Sequence, residues 1–248
     1  MKKIIWIGRE PFGAAPWIQA AEACGWVAHS IPLIRRQALP LNEEGRATMD
    51  SLQEKDWLLL TSSGAVRYGL ENLLPSWPIL AQLRIAAVGP GTAGALKRLE
   101  KQLPLYPPAI TAEGRGGKAL AQTFLSQEGA GLPDSRPLLW LCAEEPRPEM
   151  QAELEGANWQ IQSLSVYRTE GITQGAELPG EDEPILLFSP SGGRALHCRL
   201  KDPSKQKVIA LGEATAGAAE ELGFTVSGVL DLPKPEYLAE YLKQLCSK

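Results

Sequence analysis

The chain has 248 residues, 44% hydrophobic and 22% charged. At roughly 150 residues per domain it fits one large or two ordinary globular domains, and its composition excludes a disordered chain, a collagen-like repeat and a small disulfide scaffold. With 25 basic and 29 acidic residues its net charge is −4, which argues against nucleic acid as a partner but leaves room for a small anion held by local groups.

The opening MKKIIWIGREPFG is basic, but its apolar run stops at Ile7, short of the roughly 7–15 apolar residues of a secretion signal. No run approaches the ~20 apolar residues of a membrane span, so a cytoplasmic protein without membrane contact is expected. Further along, short apolar runs each lead through a turn into a helix-like stretch. Ile4–Ile7 precedes Pro11–Gly25, Trp57–Leu60 precedes Ser62–Leu74, and Ile85–Val88 precedes Gly89–Leu99. Leu138–Leu141 precedes Glu144–Gly156, Ile185–Phe188 precedes Ser191–Leu200, and Val208–Leu211 precedes Gly212–Leu222. Strands alternating with helices predict βαβ units around parallel sheets. The unbroken apolar character of these strands suits sheets covered on both faces.

Two units look like copies. LLLTSSGAV (58–66) resembles LLFSPSGGRAL (186–196), and IAAVGPGTAGALKRL (85–99) resembles VIALGEATAGAAEEL (208–222). Gly89 and Gly212 lie 123 residues apart (212 − 89), and Ser63 and Ser191 lie 128 apart (191 − 63). Two related α/β domains explain this spacing. The segments PLIRRQALP (32–40) and QSLSVYRT (162–169) both read as extended connectors. If the chain leaves one domain near 36 and returns near 168, that domain is discontinuous and contains both termini. Composition alone fits a single cut near 125 equally well.

Gly89-Pro90-Gly91-Thr92-Ala93-Gly94 matches GxGxxG in the strand–helix context of a dinucleotide site. Against NAD, the copy at Gly212 lacks the second glycine, and no strand ending in an acid follows about twenty residues on. Both copies share Gly-x-x-Thr-Ala-Gly, with Thr92 and Thr215 in a first helical turn. That is either a plain hydroxyl-rich helix start or an anion site at a helix N-terminus. Ser62-Ser63-Gly64 and Ser189-Pro190-Ser191-Gly192 offer hydroxyls and small residues at similar corners. Arg9 follows the first strand in the same layer, where open α/β sheets bind ligands. Gly114-Arg115-Gly116-Gly117-Lys118 lacks the P-loop spacing. Two isolated histidines, His29 and His197, do not favour a serine triad. Cys24, Cys142, Cys198 and Cys246 have no zinc spacing and read as reduced, mostly core thiols. Tyr167, in the second connector, could donate a proton or simply pack a hinge.

Taken in order, these motifs resemble the uroporphyrinogen-III synthase family along nearly the whole chain. The resemblance rests on Ile5–Arg9 with Cys24-Gly25 and Ile31–Leu33, then LLLTSSGAV, IAAVGPGTAGAL and TAEG (111–114). It continues through LEGANWQIQSLSVYRT (154–169), LLFSPSGG, VIALGEATAGAAEELGF and Pro233–Tyr241. It implies two flavodoxin-like α/β domains with parallel sheets: domain 1 from 1–36 plus 168–248, domain 2 from 40–164, and connectors near 36–40 and 164–168. It further implies a lyase that cyclises hydroxymethylbilane to uroporphyrinogen III in haem biosynthesis, inverting the last pyrrole ring and losing water, with substrate in the interdomain cleft. No metal or organic cofactor is implied. Tyr167 becomes the catalytic candidate, and Arg9, Ser62, Ser63, Thr92, Ser189, Ser191, Gly192 and Thr215 the substrate-binding ones. A monomer is expected, with room for transient contact with the enzyme that supplies its unstable substrate. A non-enzymatic two-domain binding protein would share the cleft and connectors, and a nucleotide-sugar or NAD-dependent enzyme would use GPGTAG.

Overall fold

The computed structural model describes residues 3–102, 105, 107–114, 116–132, 135–175 and 177–246. Arg115 of the Gly-rich run and the Cys246 side chain lie outside the described residues. In chain order the strands are β1 (Ile4–Ile7), β2 (Val27–Ser30), β3 (Ile34–Ala38), β4 (Trp57–Leu60), β5 (Arg84–Val88), β6 (Ile110–Ala112), β7 (Leu138–Ala143), β8 (Ile161–Gly171), β9 (Ile185–Leu187), β10 (Lys207–Leu211) and β11 (Thr225–Leu230). The helices are α1 (Pro11–Glu22), α2 (Glu43–Asp50), α3 (Glu71–Leu73), α4 (Gly89–Glu100), α5 (Gly116–Glu128), α6 (Glu149–Gly156), α7 (Pro190–His197), α8 (Glu213–Glu221) and α9 (Pro235–Cys246). A π-helical turn, Ala65–Leu70, leads into α3.

The chain packs into two compact units, Met1–Arg35 with Glu170–Lys248 and Arg36–Thr169. The first holds a five-stranded sheet in the order β11-β10-β9-β1-β2, whose registered neighbours all run parallel. Read in chain order this is the 2-1-3-4-5 order of flavodoxin-like folds. Ile5 and Ile7 turn to one face, with Trp17 of α1 and Leu238 of α9. Trp6 turns to the other, with Leu196 of α7 and Ala216 of α8.

The second unit holds a six-stranded sheet in the order β3-β8-β7-β4-β5-β6. Leu58 and Leu60 pack with Val66, Leu96 of α4 and Met49 of α2, whereas Trp57 and Leu59 pack with Phe124 of α5 and Leu154 of α6. Strands so covered need an apolar side chain at every position. β8 to β6 run parallel. The edge strand β3 is antiparallel to β8, since Leu39 N–H donates to Val166 and Ile172 N–H donates to Leu33.

Strand for strand, the two sheets share one spatial order: β2, β1, β9, β10, β11 in one and β8, β7, β4, β5, β6 in the other. The second unit is therefore a circular permutation of the first, starting at the β9 equivalent. Local geometry agrees. Gly25 before Trp26 and Asn158 before Trp159 both adopt positive φ, at 81° and 66°. The helix-leading Gly89 and Gly212 do the same, at 77° and 81°.

Of the described cysteines only Cys142 is buried; Cys24 is half-buried and Cys198 is exposed. This corrects the expectation of mostly core thiols. Cys198 is the C-cap of α7, a helix end that reaches solvent.

Candidate active site

In the Arg36–Thr169 unit, β4 ends at Leu60 and the chain turns through Thr61-Ser62-Ser63. The Ser62 hydroxyl accepts the Ala65 N–H at 3.0 Å, capping the helical turn, and lies 3.0 Å from the Tyr167 hydroxyl. Tyr167 arrives on β8 and is 6% exposed. Its backbone carbonyl accepts the Glu144 N–H at 2.8 Å, which ties β8 to the end of β7. Around the ring stand Tyr68, with ring centroids 5.9 Å apart, and the Arg36 guanidinium, 5.9 Å from the centroid.

Two glycines make room for this packing. A Cβ on Gly64 would lie 2.7 Å from Tyr167 Cζ, and one on Gly69 would lie 2.6 Å from Val166 Cγ2. In an α-helix, residues five apart point well away from each other. The wider π turn, in which Glu71 N–H donates to Val66, brings residues five apart back toward a shared face. Its position fits the tendency of π turns to occur at functional sites.

Along the same sheet edge, Gly89 opens α4 and Thr92 is buried at 4% exposure. A cavity of about 540 Å³ opens beside Tyr68, lined in part by Leu41, Arg46, Asn72, Ser76 and Val166. Another of about 580 Å³ follows β8 past Glu44 and Glu144 and has no basic lining residue. The cavity beside Tyr68 carries one basic and one acidic lining residue, Arg46 and Asp50, whereas the charged residues lining the other, Glu44 and Glu144, are both acidic.

The other unit carries its own row of polar groups. Arg9 follows β1, exposed, with its guanidinium 4.7 Å from the Phe188 ring centroid. Ser30 donates to the Arg9 carbonyl at 2.8 Å. Ser189 caps α7 by accepting the Gly192 N–H at 3.3 Å, and its hydroxyl pairs with that of Ser191 at 2.9 Å. Gly212 leads α8, where Thr215 is 4% exposed. Arg9, Ser189, Ser191, Gly192 and Thr215 thus gather at one sheet edge, and Ser62, Ser63, Thr92 and Tyr167 at the other unit's edge. Both edges are the carboxyl ends of parallel strands, where such sheets bind ligands.

The strand registers also adjust the repeat alignment. Leu58 pairs with Ile85 and Ile185 with Val208, so this corner repeats at 127 residues (185 − 58) rather than 128. Ser62 then matches Ser189, and each accepts the N–H three residues on. Sequence reasoning names Gly64 only as a small residue at a strand–helix corner, and it misses Gly69, Tyr68 and Arg36. The five-residue glycine spacing was visible, but nothing in the sequence said which strand it would face. Among the described residues no group of three His, Cys, Asp or Glu could hold a metal ion, and no helix is long and apolar enough to cross a membrane.

Comparison with known proteins matches this arrangement to one family. Among solved structures the chain is similar to uroporphyrinogen-III synthetase from Helicobacter pylori, with a TM-score of 0.65 and 17% identity over 100% of both chains. It is also similar to a mutant uroporphyrinogen III synthase from the extremely thermophilic bacterium Thermus thermophilus, with a TM-score of 0.61 and 20% identity over 99% of this chain and 100% of that one. At these identities the likeness speaks to the fold. A family profile described as uroporphyrinogen-III synthase HemD matches residues 15–240. With most of its length so matched, the chain belongs to the uroporphyrinogen-III synthase family.

Proposed function

We propose that this chain closes hydroxymethylbilane to uroporphyrinogen III, with Tyr167 as the acid that assists departure of the hydroxyl group. One observation supports this at residue level: Tyr167 is buried at the carboxyl edge of its sheet, with its hydroxyl 3.0 Å from Ser62. The hydroxyl leaves as water, and the azafulvene cation formed is attacked by the substituted carbon of the last pyrrole. The resulting spiro intermediate fragments and recloses with that ring inverted. Spontaneous closure without inversion competes, so holding the chain of pyrroles in the productive geometry is the main catalytic task.

The substrate bears eight carboxylates, and a protein of net charge −4 meets them with local donors. Helix starts at Ser62, Gly89, Ser189 and Gly212 present backbone N–H groups, with Arg9, Ser63 and Ser191 beside them. Such directed donors favour anions without a large net field. Because Thr92 and Thr215 are each only 4% exposed, their contribution is assigned to the backbone at those turns. In this proposal the protein works as a cytoplasmic monomer.

The test is incubation of purified protein with hydroxymethylbilane, followed by separation of the uroporphyrinogen isomers. Isomer III is expected to predominate. Accumulation of isomer I alone, at the uncatalysed rate, would overturn the assignment.

A further inference from the structure

We infer that Ser62 is a positioning residue for Tyr167, supplying the hydrogen bond that leaves the phenol proton free for the departing hydroxyl. This rests on Tyr167 acting as the acid. Ser62 Oγ already accepts the Ala65 N–H at 3.0 Å, which fixes the oxygen at the mouth of the helical turn. Its remaining contact in this network is the Tyr167 hydroxyl, also at 3.0 Å. A serine hydroxyl has one proton to donate. When it donates to the tyrosine oxygen, the tyrosine proton is released from the pair and points elsewhere.

The proton balance follows from that arrangement. As the C–O bond of the hydroxymethyl group breaks, its electron pair leaves with the oxygen. Tyr167 transfers its proton to that oxygen, giving water and a transient phenolate. The Ser62 O–H then donates to an anion, a stronger bond than one between neutral groups, so it favours the transition state over the ground state. The proton returns to Tyr167 when the free α-carbon of the last pyrrole, having formed the reclosing bond, loses its hydrogen and the ring regains aromaticity.

The surroundings hold the pair in place. Gly64 brings the helical turn against the ring, since a Cβ there would lie 2.7 Å from Cζ. The Glu144 N–H bond to the Tyr167 carbonyl fixes the strand behind it. At the matching corner of the other unit, Ser189 makes the same kind of cap but pairs with Ser191. The pairing with a tyrosine is therefore not an automatic result of the cap.

Initial rates of isomer III formation should be compared for wild type, Ser62→Ala, Tyr167→Phe and the double variant. Tyr167→Phe is expected to lower kcat about tenfold or more, within or below the usual range for a general acid. Ser62→Ala should lower kcat several-fold with KM little changed, and have no further effect once Tyr167 is Phe. Ser62→Thr, which keeps the hydroxyl, should restore most of the rate. Should Ser62→Ala fold poorly, Ser62→Gly removes the hydroxyl at only a small capping cost. Equal losses from Ser62→Ala in both backgrounds would reduce Ser62 to a helix cap and overturn the inference while sparing Tyr167. Full activity of Tyr167→Phe would overturn both.

Discussion

At the corner after β9, Ser189 caps α7 and its hydroxyl meets that of Ser191, two residues on. At the matching corner after β4, Ser62 makes the same cap, but its hydroxyl meets Tyr167, 105 residues away. The two sheets share one strand order, so the difference does not come from topology. It comes from what stands two residues after the capping serine. The unit with Ser189 has a side chain there, Ser191, which closes the pair locally. The unit with Ser62 has Gly64, and the vacated space admits an aromatic ring from β8. A duplicated scaffold has in this way kept a helix cap in both halves and built a hydroxyl pair across strands in one.

Gly64→Ala should disrupt this difference most. The new methyl would meet the Tyr167 ring at 2.7 Å, and overpacking of this kind costs typically about 1–3 kcal/mol. Denaturant unfolding should show that loss, together with a fall in isomer III formation as the ring is displaced. Ser191→Ala, at the matching position, should lose only a half-exposed hydrogen bond, about 1 kcal/mol or less. Equal stability of Gly64→Ala and wild type would remove the steric basis of the comparison.

A second matched pair lies just before the same strands. The Asp56 carboxylate accepts the N–H of Gln53, and Glu183 accepts that of Gly180, each from three residues back. Their second partners differ. Asp56 binds Arg136 through Nε at 2.6 Å and Nη2 at 2.8 Å, whereas Glu183 accepts the neutral indole N–H of Trp6 at 2.7 Å. The Asp56 side chain is 5% exposed, so Arg136→Ala strands a nearly buried carboxylate. The expected cost is about 2 kcal/mol, read by urea titration against wild type. Wild-type stability of Arg136→Ala would mean that Asp56 does not depend on its arginine.

Much of this could be read from the chain because central strands of doubly covered sheets must be apolar throughout. β1, β4, β5, β7, β9 and β10 all stand out as short apolar runs for that reason. β2, β6 and β11 do not, and each lies at a sheet edge, where VAHS, ITA and TVSGVL carry polar or small residues. Ser62 could be picked out as a hydroxyl near a strand end, and Tyr167 from its place in an extended segment together with the family resemblance. Their contact could not, because it depends on β8 lying two strands from β4 and on the π turn crossing between them. The one-residue slip in matching Ser63 with Ser191 has a similar cause. Letter identity favoured the shared Ser-Gly pair, whereas strand register and capping favour Ser62 with Ser189.

The smallest expected effect concerns the ends of β1 and β7. Trp6 pairs with His29 and Leu139 with Gln162, each partner lying three residues past a matched tryptophan. Counted from there, Cys142 stands where the other unit has Arg9. β1 stops at Ile7 and lets Arg9 reach solvent, whereas β7 runs on to Ala143 and keeps Cys142 at 2% exposure. Burial pushes the Cys142 thiol up from 9.0 to about 11, with a hydrogen bond involving Ser165 opposing the shift. A raised folded-state value means that the unfolded chain gives up this proton first. The thiol's contribution to stability is therefore complete below pH 9 and is lost as the pH rises toward about 11. Cys142→Ala should show a flatter fall in stability across that window than wild type, measured by urea unfolding at stepped pH. Alkylation followed by mass spectrometry should label the exposed Cys198 in the native protein and Cys142 only after unfolding. Rapid native labelling of Cys142 would mean that the end of β7 opens to solvent as the end of β1 does.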